Sequence, residues 1–240
     1  MTTITLPFAV LKAACSFTSD DETNPYLKGV FLEYTEKTNT MLAVATDGHR
    51  LAVLNPVGLD DETLFYKSGG FFANFILPSA AIKSVKPPKA KKNETSWACL
   101  DTDAGTLSVL NLAIGKPDEL AEIIKKEGVT VKYAPIYAAY PEWRRVIPPV
   151  ATEATPTTLN AEYMASFKAI TEGGRYGALT IHTSNGTAPA IIRSRTETFD
   201  AFALLMPMLG RPPHEKKAKP AWLGLAPAQQ EQPDAETVAA

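Results

Sequence analysis

The chain has 240 residues, of which 45% are hydrophobic and 21% charged, a balance typical of a globular protein with a sizeable core. Its net charge of −2 excludes a protein that is basic throughout. Any contact with nucleic acid must therefore come from a local concentration of lysine and arginine.

The two cysteines and the N-terminus exclude several other classes. Cys15 and Cys99 lack the spacing of a zinc site or a disulfide framework, so we expect two small buried hydrophobes in a reducing cytoplasm. The first residues have no basic stretch before an apolar one, so no signal peptide is predicted. No apolar run reaches the roughly 20 residues that a membrane helix needs.

An internal repeat is the most informative feature of the sequence. Residues 4–12 read ITLPFAVLK and residues 75–83 read FILPSAAIK. Each is a short β-type run that ends in Leu-Pro and continues as an apolar helix, where proline is tolerated in the first turn. A looser third copy at residues 157–170 reads TTLNAEYMASFKAI, with Asn160 as the expected helix cap. Three copies predict a repeated β-α-β unit.

Strand-like segments follow each predicted helix. They alternate or are wholly apolar, which predicts sheets packed on helices and hence an α+β fold. In chain order they are VFLEYTE (30–36), TMLAVAT (40–46), SWACLD (96–101), TLSVLNL (106–112), ALTIHT (178–183), APAIIRS (188–194) and FALLMPM (202–208).

Two further segments stand outside the repeat. Residues 116–128 carry acids early, lysines late and a closing glycine, which predicts a separate surface helix over about 117–127. Residues 212–240 are rich in proline, alanine, glutamine and charge, so a disordered tail is expected there, with Trp222–Leu225 as an apolar island.

Three motifs occur in a fixed order: VATDGHRLAV at 44–53, YPEWRRVIP at 140–148 and LLMPM at 204–208. With the repeat and PYLKGVFLE at 25–33, they resemble the bacterial replicative sliding clamp, the β subunit of DNA polymerase III, over residues 4 to about 210. That family has three domains, each made of two β-α-β halves.

The resemblance implies a DNA-clamp fold built from repeated β-α-β-rich half-domains. Residues 1–148 correspond to the middle domain, with halves 1–57 and 62–148. Residues 149–211 correspond to the second half of the last domain, and the first domain has no counterpart. Such a reduced version is of the kind expected from a phage or mobile element.

The resemblance also implies a groove that captures short peptide tails of polymerases and the clamp loader. A mostly apolar pocket with a few polar groups suits that task. The matching positions are Leu27, Thr46, Gly48, His49, Arg50, Leu51, Pro148, Leu204 and Met206.

The residues themselves leave other interpretations of these positions open. Asp47 and His49 could form an acid–base pair, or Gly48 could simply allow a turn between strands. Leu204 and Met206 could be ordinary strand residues of the core. With no third ligand nearby we predict no metal, no cofactor and no catalytic residue.

The lysines indicate a surface for duplex DNA. Lys83, Lys86 and Lys89 belong to a basic run that could also be a solvated loop. In the family the repeat helices face the duplex and hold it by charge, without reading its sequence. The predicted DNA-binding lysines are therefore Lys12, Lys83, Lys86, Lys89 and Lys168. The resemblance adds Tyr26, which falls where the family has an aromatic residue that contacts DNA.

The predicted function is that of a cytoplasmic sliding-clamp-like processivity or tethering factor. The alternatives are an adaptor or decoy that binds replication partners without encircling DNA and, ranked last, a small hydrolase using Asp47 and His49. Because the third repeat lacks a partner half, we expect self-association, with a head-to-tail ring of four chains as one solution. The competing solution is a single chain whose third repeat folds back on the first pair.

Overall fold

The computed structural model describes residues 3–35, 40–56, 74–87, 89–113, 120–148, 157–172, 177–183 and 187–208. The boundaries predicted at 57–62, 149 and 211, and the tail with its apolar island, lie outside the described residues and stay predictions. No helix in those ranges is both long and apolar enough to cross a membrane.

The first two repeats share the order of one strand, one helix and three strands, and the second has an additional helix before its last strand. The first contains β1 (Thr3–Pro7), α1 (Phe8–Cys15), β2 (Gly29–Thr35), β3 (Thr40–Thr46) and β4 (Arg50–Pro56). The second contains β5 (Phe75–Pro78), α2 (Ser79–Ser84), β6 (Glu94–Asp101), β7 (Thr106–Ala113), α3 (Leu120–Glu127) and β8 (Val129–Lys132). Both repeat helices begin directly after the proline that closes the leading strand, as the Leu-Pro signature predicts.

The third repeat contains α4 (Ala161–Ser166), a 3-10 segment (Phe167–Thr171), β9 (Thr180–His182), β10 (Ala190–Arg195) and β11 (Phe199–Leu205). Asn160 caps α4 as predicted, since its side chain accepts the backbone N–H groups of Glu162 at 2.8 Å and Tyr163 at 3.2 Å. Residues 157–160 precede the helix without forming a strand.

Two antiparallel sheets join the repeats. One has the order β1-β6-β7-β8 and the other the order β5-β2-β3-β4-β11-β10-β9. The leading strands are exchanged, because β1 pairs with β6 and β5 pairs with β2. The α+β class is confirmed. The pairing of β11 with β4 covers one edge of the third repeat within the chain, as the single-chain alternative requires. Among the described strands, β9 is the last of this sheet.

The main core lies between the helices and the inner faces of both sheets. The helix α1 packs against α2 and against the 3-10 segment of the third repeat, so one helical layer spans all three repeats. It buries nearly every apolar side chain it has and leaves Lys12 exposed. Phe17, Phe167 and Phe199 are fully buried in the same core.

The helix α3 is more closely packed than a separate surface helix. It lies on the outer face of the four-stranded sheet, where Ile124 is fully buried against Trp97 and Cys99. Beside it, Lys125 donates to the buried Asp101 carboxylate at 2.6 Å. Burial alone would raise the pKa of Asp101, but the hydrogen bond from Lys125 holds it below its ordinary value. The helix α3 thus covers the face of the four-stranded sheet that is opposite α1 and α2.

Candidate functional site

Seven of the nine candidate groove residues, all except Leu27 and Pro148, lie where the first and third repeats meet. On β4 and β11, Leu51 lies directly opposite Leu204. Just beyond the ladder, the backbone N–H of Met206 donates to the His49 carbonyl at 3.0 Å. Residues that are about 155 positions apart in the chain therefore share one small region, as the resemblance implies.

The turn Thr46–Arg50 connects β3 to β4. Gly48 has φ +88°, a conformation that favours glycine. The Thr46 hydroxyl donates to the Arg50 carbonyl at 2.6 Å and accepts the Gly48 N–H at 3.1 Å. The strand-to-strand turn is therefore present, and His49 is exposed at its tip.

Arg50 ties this turn to the third repeat. Its Nε and Nη2 donate to the same Asp47 oxygen at 2.9 and 2.7 Å, and its Nη1 donates to the Ser166 hydroxyl. The guanidinium also lies 5.1 Å from the Phe17 ring centre and 4.9 Å from that of Tyr163. Arg50 is thus a structural connector between the first and third repeats, and its side chain is only 10% exposed.

The Asp47 carboxylate is fully engaged in this turn. Its Oδ1 accepts the backbone N–H groups of His49 at 3.0 Å and Arg50 at 2.8 Å, while Oδ2 accepts the Arg50 guanidinium. The His49 ring instead lies 5.5 Å from the Tyr163 ring, centre to centre. Within the described ranges no group of three or more potential metal ligands occurs. The Asp47 carboxylate therefore stabilises the turn, and the His49 imidazole lies near Tyr163 instead of beside that carboxylate.

The predicted groove residues differ in how accessible they are. Leu27, Leu51 and Leu204 are buried, and Thr46, Arg50 and Pro148 are half-buried. Leu27 lies in the 3-10 turn Pro25–Lys28, where its carbonyl accepts the Ser19 N–H at 2.8 Å. Met206 is 44% exposed and provides accessible apolar surface in this region. Gly48 and His49 are exposed at the tip of the turn.

The helical layer brings the predicted DNA-binding lysines together. Lys12, Lys83, Lys86 and Lys89 line one cleft of about 680 Å³ between α1, α2 and the third repeat. Glu172 also lines this cleft, and Lys83 lies 3.2 Å from the exposed Asp20 carboxylate. Lys168 is exposed on the 3-10 segment beside α1. Tyr26 is half-buried, and its hydroxyl donates to the Asn24 side chain at 3.0 Å.

Comparisons with solved structures give one consistent result. The sliding clamp of Pseudomonas aeruginosa, solved with a ligand, superposes with a TM-score of 0.54 at 13% identity over 86% of this chain. The clamp of Caulobacter crescentus gives 0.54 at 16% identity over 86%. The DNA polymerase III β subunit of Borrelia burgdorferi, in complex with a natural product, gives 0.54 at 14% over 88%.

This chain has the sliding-clamp fold. It covers 66%, 65% and 65% of those three chains, so it spans less than two thirds of their length. No protein-family model matches the chain, and no curated protein is significantly similar to it.

The aromatic side chains that cover the junction of β4 and β11 were not predicted from the sequence. On the outer face, Trp143 and Tyr140 pack on the cluster that contains Leu51 and Leu204. The Trp143 indole donates to Glu33 at 3.0 Å, and Arg144 pairs with the same carboxylate at 2.7 Å. Burial raises the pKa of the Tyr140 hydroxyl.

The signal for this cover was present in the motif at 140–148. Within it, Ile147 packs on the Leu51–Leu204 cluster and Val146 is 52% exposed. In this motif two arginines and two aliphatic residues follow an aromatic residue. That order could have indicated a segment that covers the Leu51–Leu204 cluster and leaves one apolar side chain accessible. Val146 is therefore an accessible apolar side chain next to residues that pack on the Leu51–Leu204 cluster.

Proposed function

We propose that this protein is a sliding-clamp-like tethering factor that holds duplex DNA without reading its sequence. The observation that carries the proposal is a cleft in the helical layer of a clamp fold, which exposed lysines of the first two repeats line beside residues of the third. Ammonium groups on one face suit the evenly spaced phosphates of a duplex. No bond is made or broken in this function.

The local charge of the cleft supports this proposal. The net charge is −2, so attraction to DNA must come from this local cluster and not from the whole molecule. Among the described residues that line the cleft, one acid, Glu172, accompanies Lys12, Lys83, Lys86 and Lys89, and Asp20 pairs with Lys83. Contacts of this kind are sensitive to salt and allow a protein to slide.

A salt titration of duplex binding tests the proposal. Fluorescence anisotropy with two duplexes of unrelated sequence should give equal affinities for the full chain. If about four phosphates are neutralised, affinity should fall by about 100-fold from about 50 to about 200 mM salt. Binding that prefers one duplex, or that is unchanged by salt, would contradict the proposal.

Peptide docking at the junction of β4 and β11 is the second part of the proposal. A short polymerase-type peptide with a glutamine and aliphatic anchors is expected to bind with micromolar affinity, about −8 kcal/mol. Met206 and Val146 offer apolar contacts, and methionine adapts its shape to different partners.

The variant Met206→Asp should weaken peptide binding at least tenfold, because an aspartate would lose its hydration against the aliphatic anchor. Val129→Asp is a matched control, since Val129 on β8 is 40% exposed and Met206 is 44% exposed. Isothermal calorimetry measures both. Equal affinities of the two variants, with the fold intact by circular dichroism, would exclude the groove. Peptide binding without DNA binding would instead favour the adaptor function.

A further inference from the structure

The cleft in the helical layer encloses more space than contact with a duplex requires. Its volume of about 680 Å³ is typical of sites that enclose a small molecule, roughly 300–1,000 Å³. The phosphates of a duplex lie on its outside, where lysines on an open face can reach them. Duplex binding therefore accounts for the lysines of the cleft but not for its interior.

The interior of the cleft is apolar, and all three repeats contribute to it. Phe8 on α1, Ile82 on α2 and Phe199 on β11 are buried side chains that line it. Ala9 on α1 and Ala169 on the 3-10 segment also line it and are half-buried, so apolar surface is accessible inside. Such surface favours a flat apolar group such as a nucleic-acid base, whereas a phosphate would lose its hydration there.

Polar groups of the lining suit the rest of a nucleotide. The four lysines are exposed, and each ammonium can pair with a phosphate. The Ser16 hydroxyl donates to the Lys12 carbonyl at 3.3 Å. The Ser96 hydroxyl donates to the Asn111 side chain at 2.7 Å, so both hydroxyl oxygens keep lone pairs that can accept N–H groups of a base. Glu172 adds a carboxylate, which can accept the amino group of a base but would repel a phosphate.

We propose that the cleft receives a single unpaired nucleotide, with its base against the apolar interior and its phosphate on the lysines. The inference rests on the proposed function, because the nucleotide would belong to the DNA that the protein holds, at a strand end or beside a gap. A base inside a duplex is stacked and paired, so an unpaired base enters at a lower cost. The cleft thus adds a preference for DNA structure to a surface that reads no sequence.

A duplex with a short single-stranded overhang, compared with the same duplex whose overhang is abasic, tests this preference. Both carry the same number of phosphates, so they differ only in the overhanging bases. Fluorescence anisotropy with the full chain should give an affinity at least about tenfold higher for the overhang with bases. Equal affinities would overturn the inference, while sequence-independent binding of the blunt duplex would still support the proposed function.

Free nucleotide binding separates the inference from the proposed function. Isothermal calorimetry should give an affinity for deoxyadenosine triphosphate at least about tenfold higher than for inorganic triphosphate, which has the same chain of phosphates without a base. Equal affinities would indicate an adventitious ion only and would overturn the inference. Tighter binding of the nucleotide by a chain that binds no duplex would refute the proposed function and leave the cleft as a nucleotide site.

Filling the interior of the cleft then locates the site. Ala9→Leu together with Ala169→Leu adds aliphatic bulk on two walls without a change in charge, and should reduce the preference for overhanging bases to below about twofold. This preference is a ratio measured on one variant, so a general change in DNA affinity cancels. Ala161→Leu together with Ala165→Leu is the control, because both alanines are exposed on α4 and do not belong to the described lining. An unchanged preference in the filled cleft, with the fold intact by circular dichroism, would overturn the inference.

Discussion

Replacing Lys83, Lys86 and Lys89 together by glutamate is expected to weaken duplex binding by at least about 100-fold, because three phosphate contacts are lost and three repulsions are added. All three lysines are exposed and line the same cleft of the helical layer. The salt dependence should also decrease, with the slope of log affinity against log salt falling by about 3. Fluorescence anisotropy across a salt series measures both quantities.

The control for this variant is a second triple replacement with the same change in charge, at residues outside the cleft. Lys126 on α3, Lys132 on β8 and Arg193 on β10 are exposed on elements or faces turned away from α1 and α2. Their triple replacement by glutamate should change binding by only a few-fold through net charge. Loss of the Lys83–Asp20 pair should leave folding intact, since both side chains are more than half exposed. Equal weakening of duplex binding by both triple replacements would contradict a DNA site in the cleft of the helical layer.

Local signals in the sequence predicted most of the elements. A Leu-Pro step fixes where a strand ends and a helix begins, and Asn160 caps α4 through its own side chain. Strand exchange could not be predicted in the same way. Whether β1 pairs within its own repeat or with β6 depends on a contact between residues about 95 positions apart, and such pairing leaves no local pattern.

The meeting of two motifs was predictable from the sequence, but the contacts of each residue were not. The motifs at 44–53 and 204–208 do meet, because β4 pairs with β11. The sequence could not show that Arg50 is held by Asp47 and Ser166, since Ser166 belongs to a distant helix. It also gave no weight to Trp143, whose position over Leu51 and Leu204 follows from tertiary packing.

Replacing Arg50 by methionine is expected to destabilise the protein by about 3 kcal/mol or more, because it leaves a buried carboxylate without its charged partner. The Asp47 side chain is 12% exposed, and the backbone N–H groups it retains compensate only in part. The same change removes the contact of Arg50 with Ser166 on α4. The free energy of unfolding from urea titration measures the effect.

Arg145→Met is the matched control for this second prediction. Arg145 pairs with Glu142 at 2.7 Å, also three residues apart, but these side chains are 80% and 70% exposed. An exposed pair contributes between about 0 and 1 kcal/mol, so this variant should unfold close to the wild-type midpoint. Arg50→Lys should fall between the two, since a lysine keeps the charge but loses the planar fork that bonds to Asp47 while it lies over Phe17 and Tyr163. If Arg50→Met were as stable as Arg145→Met, Arg50 would not be the connector between the first and third repeats. The position of β11 against β4 would then depend on the ladder and on the Leu51–Leu204 cluster alone.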